Sequence, residues 1–387
     1  MVGCTSKEEP MRVVIEKAMS RSAQQYKRMS KYLIDSIGRY PRTYINGKIM
    51  TSDTHWWCSG FFPGSLWYLY EYSKDKDILN YAKIYTERLR KEMYETDNHD
   101  IGFMIFCSYG NGYRLTRNED YASVIDTACI SLSSRYQENM GLIRSWDFNK
   151  KIWQYPVIID NMMNLEMLMW GAKKFNNDYF KRIAINHADK TMHHHFRKDY
   201  SSYHLVSYDT ITSLPHVKQT HQGYSDESAW ARGQAWGLYG YTYMYRFTKD
   251  IKYLDMARNI AKFMINHPNM PSDMIPYWDY NAPNIPNEER DASAAAVMAS
   301  ALLELSEYVT ADEKEDFIRV AEKQIRTLSS NEYLADEGDN GLFILKHSVG
   351  SKPFKGNGPF YGEVDAPLTY ADYYYLEAMI RWLNLNK

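Results

Sequence analysis

The chain is poor in the residues that usually announce a metal, a cofactor or a membrane. Its four cysteines, Cys4, Cys58, Cys107 and Cys129, stand far apart and form no C-x-x-C pair. That argues against a zinc knuckle and a dithiol redox centre. No apolar run reaches the ~18 residues of a membrane-spanning helix. No Lys/Arg block or basic stripe occurs and the formal net charge is −2, so nothing points to nucleic acid. The patterns G-x-S-x-G, G-x-G-x-x-G, the phosphate-binding loop and H-E-x-x-H are all missing, which argues against serine hydrolases, dinucleotide enzymes, P-loop NTPases and zincins. His193, His194 and His195 are consecutive. On a helix such neighbours point in different directions and make a poor metal site. Neither a metal nor a cofactor is expected.

Aromatic side chains are abundant instead: 15% of 387 residues, with 34 Tyr and 10 Trp. They can fill a thick core, or serve as platforms for sugar rings, since Trp and Tyr offer an apolar face with a polar edge. The N-terminal stretch Val2-Gly3-Cys4-Thr5-Ser6 resembles the end of a bacterial lipoprotein signal without the apolar segment that precedes one. Two readings stand. Cys4 is a lipid-anchor site, residues 1–10 are a tether, and the protein is periplasmic or membrane-anchored. Alternatively Cys4 is an ordinary surface cysteine of a cytoplasmic protein.

Helical periodicity dominates the rest. Patterns run over 11–37, 64–73, 77–93, 120–139, 161–175, 178–194, 228–247, 251–266, 292–308, 313–329 and 369–384, each of ordinary helix length or longer. They pair through short links, 74–77, 176–178 and 248–250, which carry Asn or Asp suited to a turn or an N-cap. Longer loops, 95–118, 141–158, 197–226, 267–290 and 331–367, hold most of the glycines, prolines and unusual polar residues. About twelve helices in six hairpins would close an all-α (α/α)6 toroid, with the long loops and the binding residues on one face. An open α-solenoid is the alternative, weakened by the absence of any repeat of the ~34–40-residue kind. No linker divides the chain, so 11–387 reads as one domain.

Three segments carry candidate chemistry. His99-Asp100-Ile101-Gly102-Phe103 is either a turn or a carboxylate at a pocket rim beside a histidine. Asp160, between the apolar stretch 157–159 and a helix, is either an N-cap or a proton donor. As a cap its carboxylate would be favoured in the ionised form, whereas a general acid must start protonated. Burial, or a second carboxylate such as Asp100, would have to raise it. In 219–243, Ser225 or Asp226 is placed to cap the following helix. Ala229, Gly233, Gly237 and Gly240 form a small-residue stripe that lets another helix approach. Arg232, Trp236, Tyr239 and Tyr243 put a cation beside aromatics. Trp57 and Trp146 lie in loops or turns.

HDIGF (99–103), IDNMMNLEMLMWG (159–171), SDESAWARGQAWGLYGY (225–241) and VDAPLTYADYYYLEAMIR (364–381) resemble the unsaturated glucuronyl hydrolases of glycoside hydrolase family 88, in the family's order and over nearly the whole chain. The resemblance implies an (α/α)6 toroid that needs no metal or cofactor. Its substrates would be lyase-generated oligosaccharides with a 4,5-unsaturated uronic acid at the non-reducing end. It implies hydration of that vinyl ether. Asp160 would be the acid/base that protonates C4 and then activates water toward C5, and Asp100 the second aspartate. His204, Gln222, Arg232, Trp236, Trp57 and Trp146 would bind substrate. One residue serves as acid and base, so the two-carboxylate spacing rule of ordinary glycosidases does not apply. In the loop 346–358, Ser348, Ser351, Lys352 and Lys355 are candidates for a sulfate on the adjoining sugar. A solvated Lys/Gly loop is the plainer reading. Two rivals remain at this point: the related unsaturated rhamnogalacturonyl hydrolases, and a non-catalytic glycan-binding lipoprotein.

Overall fold

The computed structural model describes residues 8–353 and 362–387. Cys4, most of the 1–10 tether and Lys355 fall outside that set. Among the described residues there are twelve α-helices: α1 Met11–Leu33, α2 Phe61–Ser73, α3 Lys76–Glu87, α4 Asn111–Thr116, α5 Glu119–Ser133, α6 Asn161–Phe175, α7 Asp178–His195, α8 Ala231–Thr248, α9 Ile251–Asn266, α10 Ala292–Leu305, α11 Ala311–Leu328 and α12 Thr369–Leu385. A wide-wound π-helical segment, Gly102–Gly110, runs into α4.

Two rings result. The inner ring is α2, the Gly102–Gly110 segment with α4, α6, α8, α10 and α12, each packed against the next, with α12 closing back onto α2. The outer helices α1, α3, α5, α7, α9 and α11 lie around it. The sequence explains the division. Outer helices carry an apolar stripe and a polar face, as in α1, where Ile15, Met19, Tyr26, Met29 and Leu33 are buried. Inner helices are buried all round; every residue of α10 from Ala292 to Leu305 is inside. The (α/α)6 toroid is thus the observed fold, and the solenoid alternative is excluded by ring closure.

One device makes four of the inner-to-outer links. Lys74, Arg117, Asn176 and Lys249 end inner helices in the left-handed conformation. The next residue, Asp75, Asn118, Asn177 or Asp250, caps the outer helix by accepting from its first backbone N–H groups. Each cap is worth about 1 kcal/mol, and the tight reversal keeps one end of the toroid free of loops. At that end a cavity of about 380 Å³ is lined by residues including Tyr68, Trp170, Glu166, Arg246, Glu377 and Arg381. Its charges are spent on one another: Arg246 pairs with Glu166 and Glu304, and Arg381 with Glu304.

The opposite end carries the long loops and, among the described residues, nine short strands. β1 Tyr40–Ile45 pairs β2 Lys48–Ser52, and β3 Tyr136–Gln137 pairs β4 Leu142–Ile143. β5 Pro156–Ile158, β6 Leu205–Tyr208 and β7 Pro215–Gln219 form a three-stranded antiparallel sheet. β8 Ser348–Val349 pairs β9 Val364–Ala366. The stripe of small residues in α8 works as its spacing suggests. A Cβ on Gly240 would come within 2.7 Å of Met162 Cβ, and one on Gly233 within 3.1 Å of Ile159 Cγ2, so α8 lies directly against the start of α6.

Two expectations need correction. The stretch 95–118 is not one long loop: Gly102–Thr116 supplies an inner-ring position. Neither Ser225 nor Asp226 caps α8. Its N-cap is Trp230, with no side-chain bond, and Asp226 accepts from Thr220 N instead (2.9 Å).

Candidate active site

The three-stranded sheet assembles the site. Its register sets Ile158 opposite Leu205 and Leu205 opposite Gln219. Asp160, His204 and the turn 220–224 therefore leave the same end of the sheet. Asp160 occupies the N-cap position of α6, yet its side chain makes no capping bond. It is buried, and Oδ2 lies 3.6 Å from His204 Nε2, looser than a formed hydrogen bond. Asp100 opens the Gly102–Gly110 segment across the way. His99 Nε2 lies 3.3 Å from Asp100 Oδ1.

These groups face a cavity of about 230 Å³ lined by Trp56, Trp57, His99, Asp100, Trp146, Phe148, Ile158, Asp160, His221 and Gln222. It is smaller than the ~380 Å³ hollow of the loop-free end, but here a buried carboxyl, Asp160, and a half-buried one, Asp100, face open space with no Lys or Arg bonded to them. Sites for drug-sized ligands run to ~300–1,000 Å³, so this one has room for about one sugar ring. Trp57 stands edge-on to Phe61 and Phe103 and 4.9 Å from Tyr370. Trp146 and Phe148 are stacked at 4.9 Å with 8° between their planes, and Phe148 is half-exposed at the rim. Phe103 fits between Trp57 (5.5 Å) and Trp236 (5.4 Å), behind the cavity wall that Trp57 forms.

The electrostatics divide the two aspartates. Burial, with the charge of Asp160 added, pushes Asp100 up to about 8. Burial acts to raise Asp160 as well, but the His204 N–H aimed at it and the potential of Arg232 outweigh that, and Asp160 lies below the usual carboxylate range. Burial drives His99 down to about 3, so at neutral pH it is an uncharged neighbour of Asp100 rather than an ion-pair partner. The pair therefore rests with one proton, and that proton is on Asp100. The sequence had suggested the opposite allocation, with the proton on Asp160 and Asp100 holding it there.

Five of the expected residues, Asp100, Asp160, Trp57, Trp146 and Gln222, line one cavity, and His204 sits directly behind Asp160. Arg232 and Trp236 do not line it. Trp236 is fully buried beneath Phe103. Arg232 is 1% exposed and committed to Asp291 (3.3 Å), to the carbonyls of Val349 and Gly350, and to the faces of Trp230 and Tyr370. It is not available to a substrate carboxylate; it anchors the 348–351 strand and loop to α8. Of the sulfate candidates, Ser348 and Ser351 are buried, and Lys352 is engaged by Glu288 and Glu289. The other five lining residues, Trp56, His99, Phe148, Ile158 and His221, were not among the expected site residues. The aromatic run at 56–57 and the histidine before Asp100 were the available signals.

Comparison with known proteins agrees with this geometry. The sequence model described as Glycosyl Hydrolase Family 88 matches residues 27–383. A protein of Formosa agariphila named unsaturated glucuronyl hydrolase is 41% identical over 377 residues, covering 96% of this chain and 91% of that relative. A Streptococcus agalactiae protein named unsaturated chondroitin disaccharide hydrolase is 31% identical, covering 96% and 92%. A solved structure described as an unsaturated glucuronyl hydrolase specific for heparin superposes with a TM-score of 0.92 at 47% identity, covering 96% of this chain and 98% of that one.

Proposed function

The chain belongs to glycosyl hydrolase family 88, and from that premise we infer what the site does. The protein is a hydrolase that removes the 4,5-unsaturated uronic acid from the non-reducing end of lyase-generated glycosaminoglycan oligosaccharides. The observation that carries the reading is the pairing of Asp100 and Asp160 in an aromatic cavity sized for one ring. A terminal ring can enter such a cavity; the interior of a chain cannot.

Hydration of the vinyl ether needs a proton at C4 and the oxygen of water at C5. The hemiketal formed at C5 then opens, and the resulting hemiacetal at C1 expels the remaining sugar as an alcohol. One carboxyl that first gives a proton and then takes one suffices. We assign that task to Asp160, in contact with His204, and proton storage to Asp100. The incoming uronate supplies the trigger. Its negative charge raises the proton affinity of Asp160, so the stored proton crosses from Asp100 as the ring seats. After transfer to C4, Asp160 is an anion poised to take a proton from water. Trp57 and Trp146 flank the ring, and Gln222, fixed by its own bond to Gly350 O (3.1 Å), offers its remaining amide groups.

The test is loss of the ultraviolet absorbance of the conjugated double bond over a panel of unsaturated disaccharides from chondroitin, heparin and pectin. Turnover of the glycosaminoglycan members is expected. Turnover of the pectin fragment alone would favour a rhamnogalacturonyl hydrolase, and binding without loss of absorbance a non-catalytic protein. The same assay gives a pH profile. Activity requires the one shared proton, which leaves as pH rises through about 8. The alkaline limb of kcat/KM should therefore lie near that value. An alkaline limb below pH 6 would remove Asp100 as the store.

A further inference from the structure

The imidazole behind Asp160 is held in an unusual way. His204 Nδ1 accepts two backbone hydrogen bonds, from His221 N (2.8 Å) and Gln222 N (3.1 Å). A ring nitrogen that accepts two N–H groups carries no proton of its own, so the ring hydrogen is on Nε2, the atom facing Asp160 Oδ2. The turn that delivers those two N–H groups has no regular structure, and only Tyr224 at its end is exposed. Something must hold it.

That anchor is Asp279, fully buried and 55 residues beyond the turn. Its Oδ2 accepts from Tyr224 N (2.9 Å) and from Ser228 Oγ (2.7 Å), and its Oδ1 from Asn281 N (2.9 Å). Gly223 lies so close that a Cβ there would come within 3.0 Å of Asp279 Oδ2 and 2.6 Å of Thr220 Oγ1. The inner face of the turn is thereby pinned at 224 and 228 and closed at 220–223 by Thr220 Oγ1, which accepts from Gly223 N (2.7 Å).

We propose that Asp279 is a positioning residue for this reaction: through the 220–224 turn it fixes the tautomer of His204 and so decides which oxygen of Asp160 is free to react. With Nε2–H turned to Oδ2 at 3.6 Å, that oxygen is the one its positive edge faces, and Oδ1 is the oxygen that passes the proton to C4 and takes it back from water. In the other tautomer, Nε2 would present a lone pair to the carboxylate. The two would repel, and Oδ2 would compete for the transferable proton. The proposal rests on the assignment of Asp160 as acid/base, and its first readout needs no substrate.

The experiment is long-range 1H–15N correlation on the full chain labelled with 15N-histidine, with His204 assigned by the signal lost in His204→Gln. The parent should show the hydrogen on Nε2; a hydrogen on Nδ1 overturns the proposal at once, whatever the enzyme's substrate. Asp279→Asn replaces one acceptor by a donor and should give a mixture of tautomers with kcat lowered by about 10–100-fold, the range for loss of a residue that orients a functional histidine, and KM little changed. Ser228→Ala removes one of the three donors and keeps the carboxylate, so it serves as the milder variant if Asp279→Asn folds poorly. Its tautomer shift and its loss of kcat should move together. A variant with a lowered melting temperature but an unchanged His204 spectrum and unchanged kcat would mean that Asp279 is structural only, and would refute the idea.

Discussion

Asp160→Asn is expected to lower kcat by roughly 10²–10⁴-fold, the range attributable to a positioned general acid/base, with little change in KM. An amide keeps the shape and the contact with His204 but neither gives nor takes a proton at neutral pH. Two accompanying changes separate this from general damage. The substitution removes a buried charge that makes no capping bond, so the variant should melt no lower than the parent. It also removes one of the two influences that hold Asp100 up, so whatever activity survives should have an alkaline limb at lower pH. Steady-state kinetics across pH with a melting curve would check all three. Activity within tenfold of the parent would end the assignment.

The second large effect is on stability. Arg232→Met should cost about 3–5 kcal/mol, measured by reversible urea unfolding, because it strips one partner from a buried ion pair and leaves the other charged inside. Asp291 is fully buried and would retain only Ser293 and the Val349 N–H, while the carbonyls of Val349 and Gly350 would lose their guanidinium. Met is close to Arg in length and fills the slot between Trp230 and Tyr370, so the loss reports charge and hydrogen bonding more than volume. The double variant Arg232→Met/Asp291→Asn should recover a large part of the loss. If Arg232→Met unfolds with the parent's midpoint, the guanidinium is not the tie between α8 and the 348–351 segment. Activity should fall as well, since Gln222 depends on the same Gly350 carbonyl.

What could be read from the chain depended on the range of the interaction. The outer helices and the links at Lys74-Asp75, Asn176-Asn177 and Lys249-Asp250 are set by neighbours within a few residues, and their periodicity and caps were plain. Gly102–Thr116 was not. Three glycines with Asn111 and two tyrosines resemble a loop, but Gly102 and Gly112 stand where neighbouring helices come close: a Cβ on Gly102 would meet Asn164 of α6 and one on Gly112 would meet Tyr121 of α5. The short strands contain two to six residues, too few for alternation to register. In the site, Asp100 and Asp160 were recognised because carboxylates beside apolar runs are conspicuous. Arg232 and Trp236 were placed on the correct helix face, but spacing along α8 does not reveal that Phe103 and the 349–350 backbone come between that face and the cavity. The order of the two proton affinities was beyond reach, because it depends on where the 220–224 turn points the proton of His204.

Phe103, wedged between Trp57 and Trp236, lines the hollow of the loop-free end, while its neighbour Trp57 lines the site cavity. One aromatic ring therefore stands as a partition on the axis of the toroid, with the paired charges of one end on its far side and the two aspartates beyond Trp57 on the other.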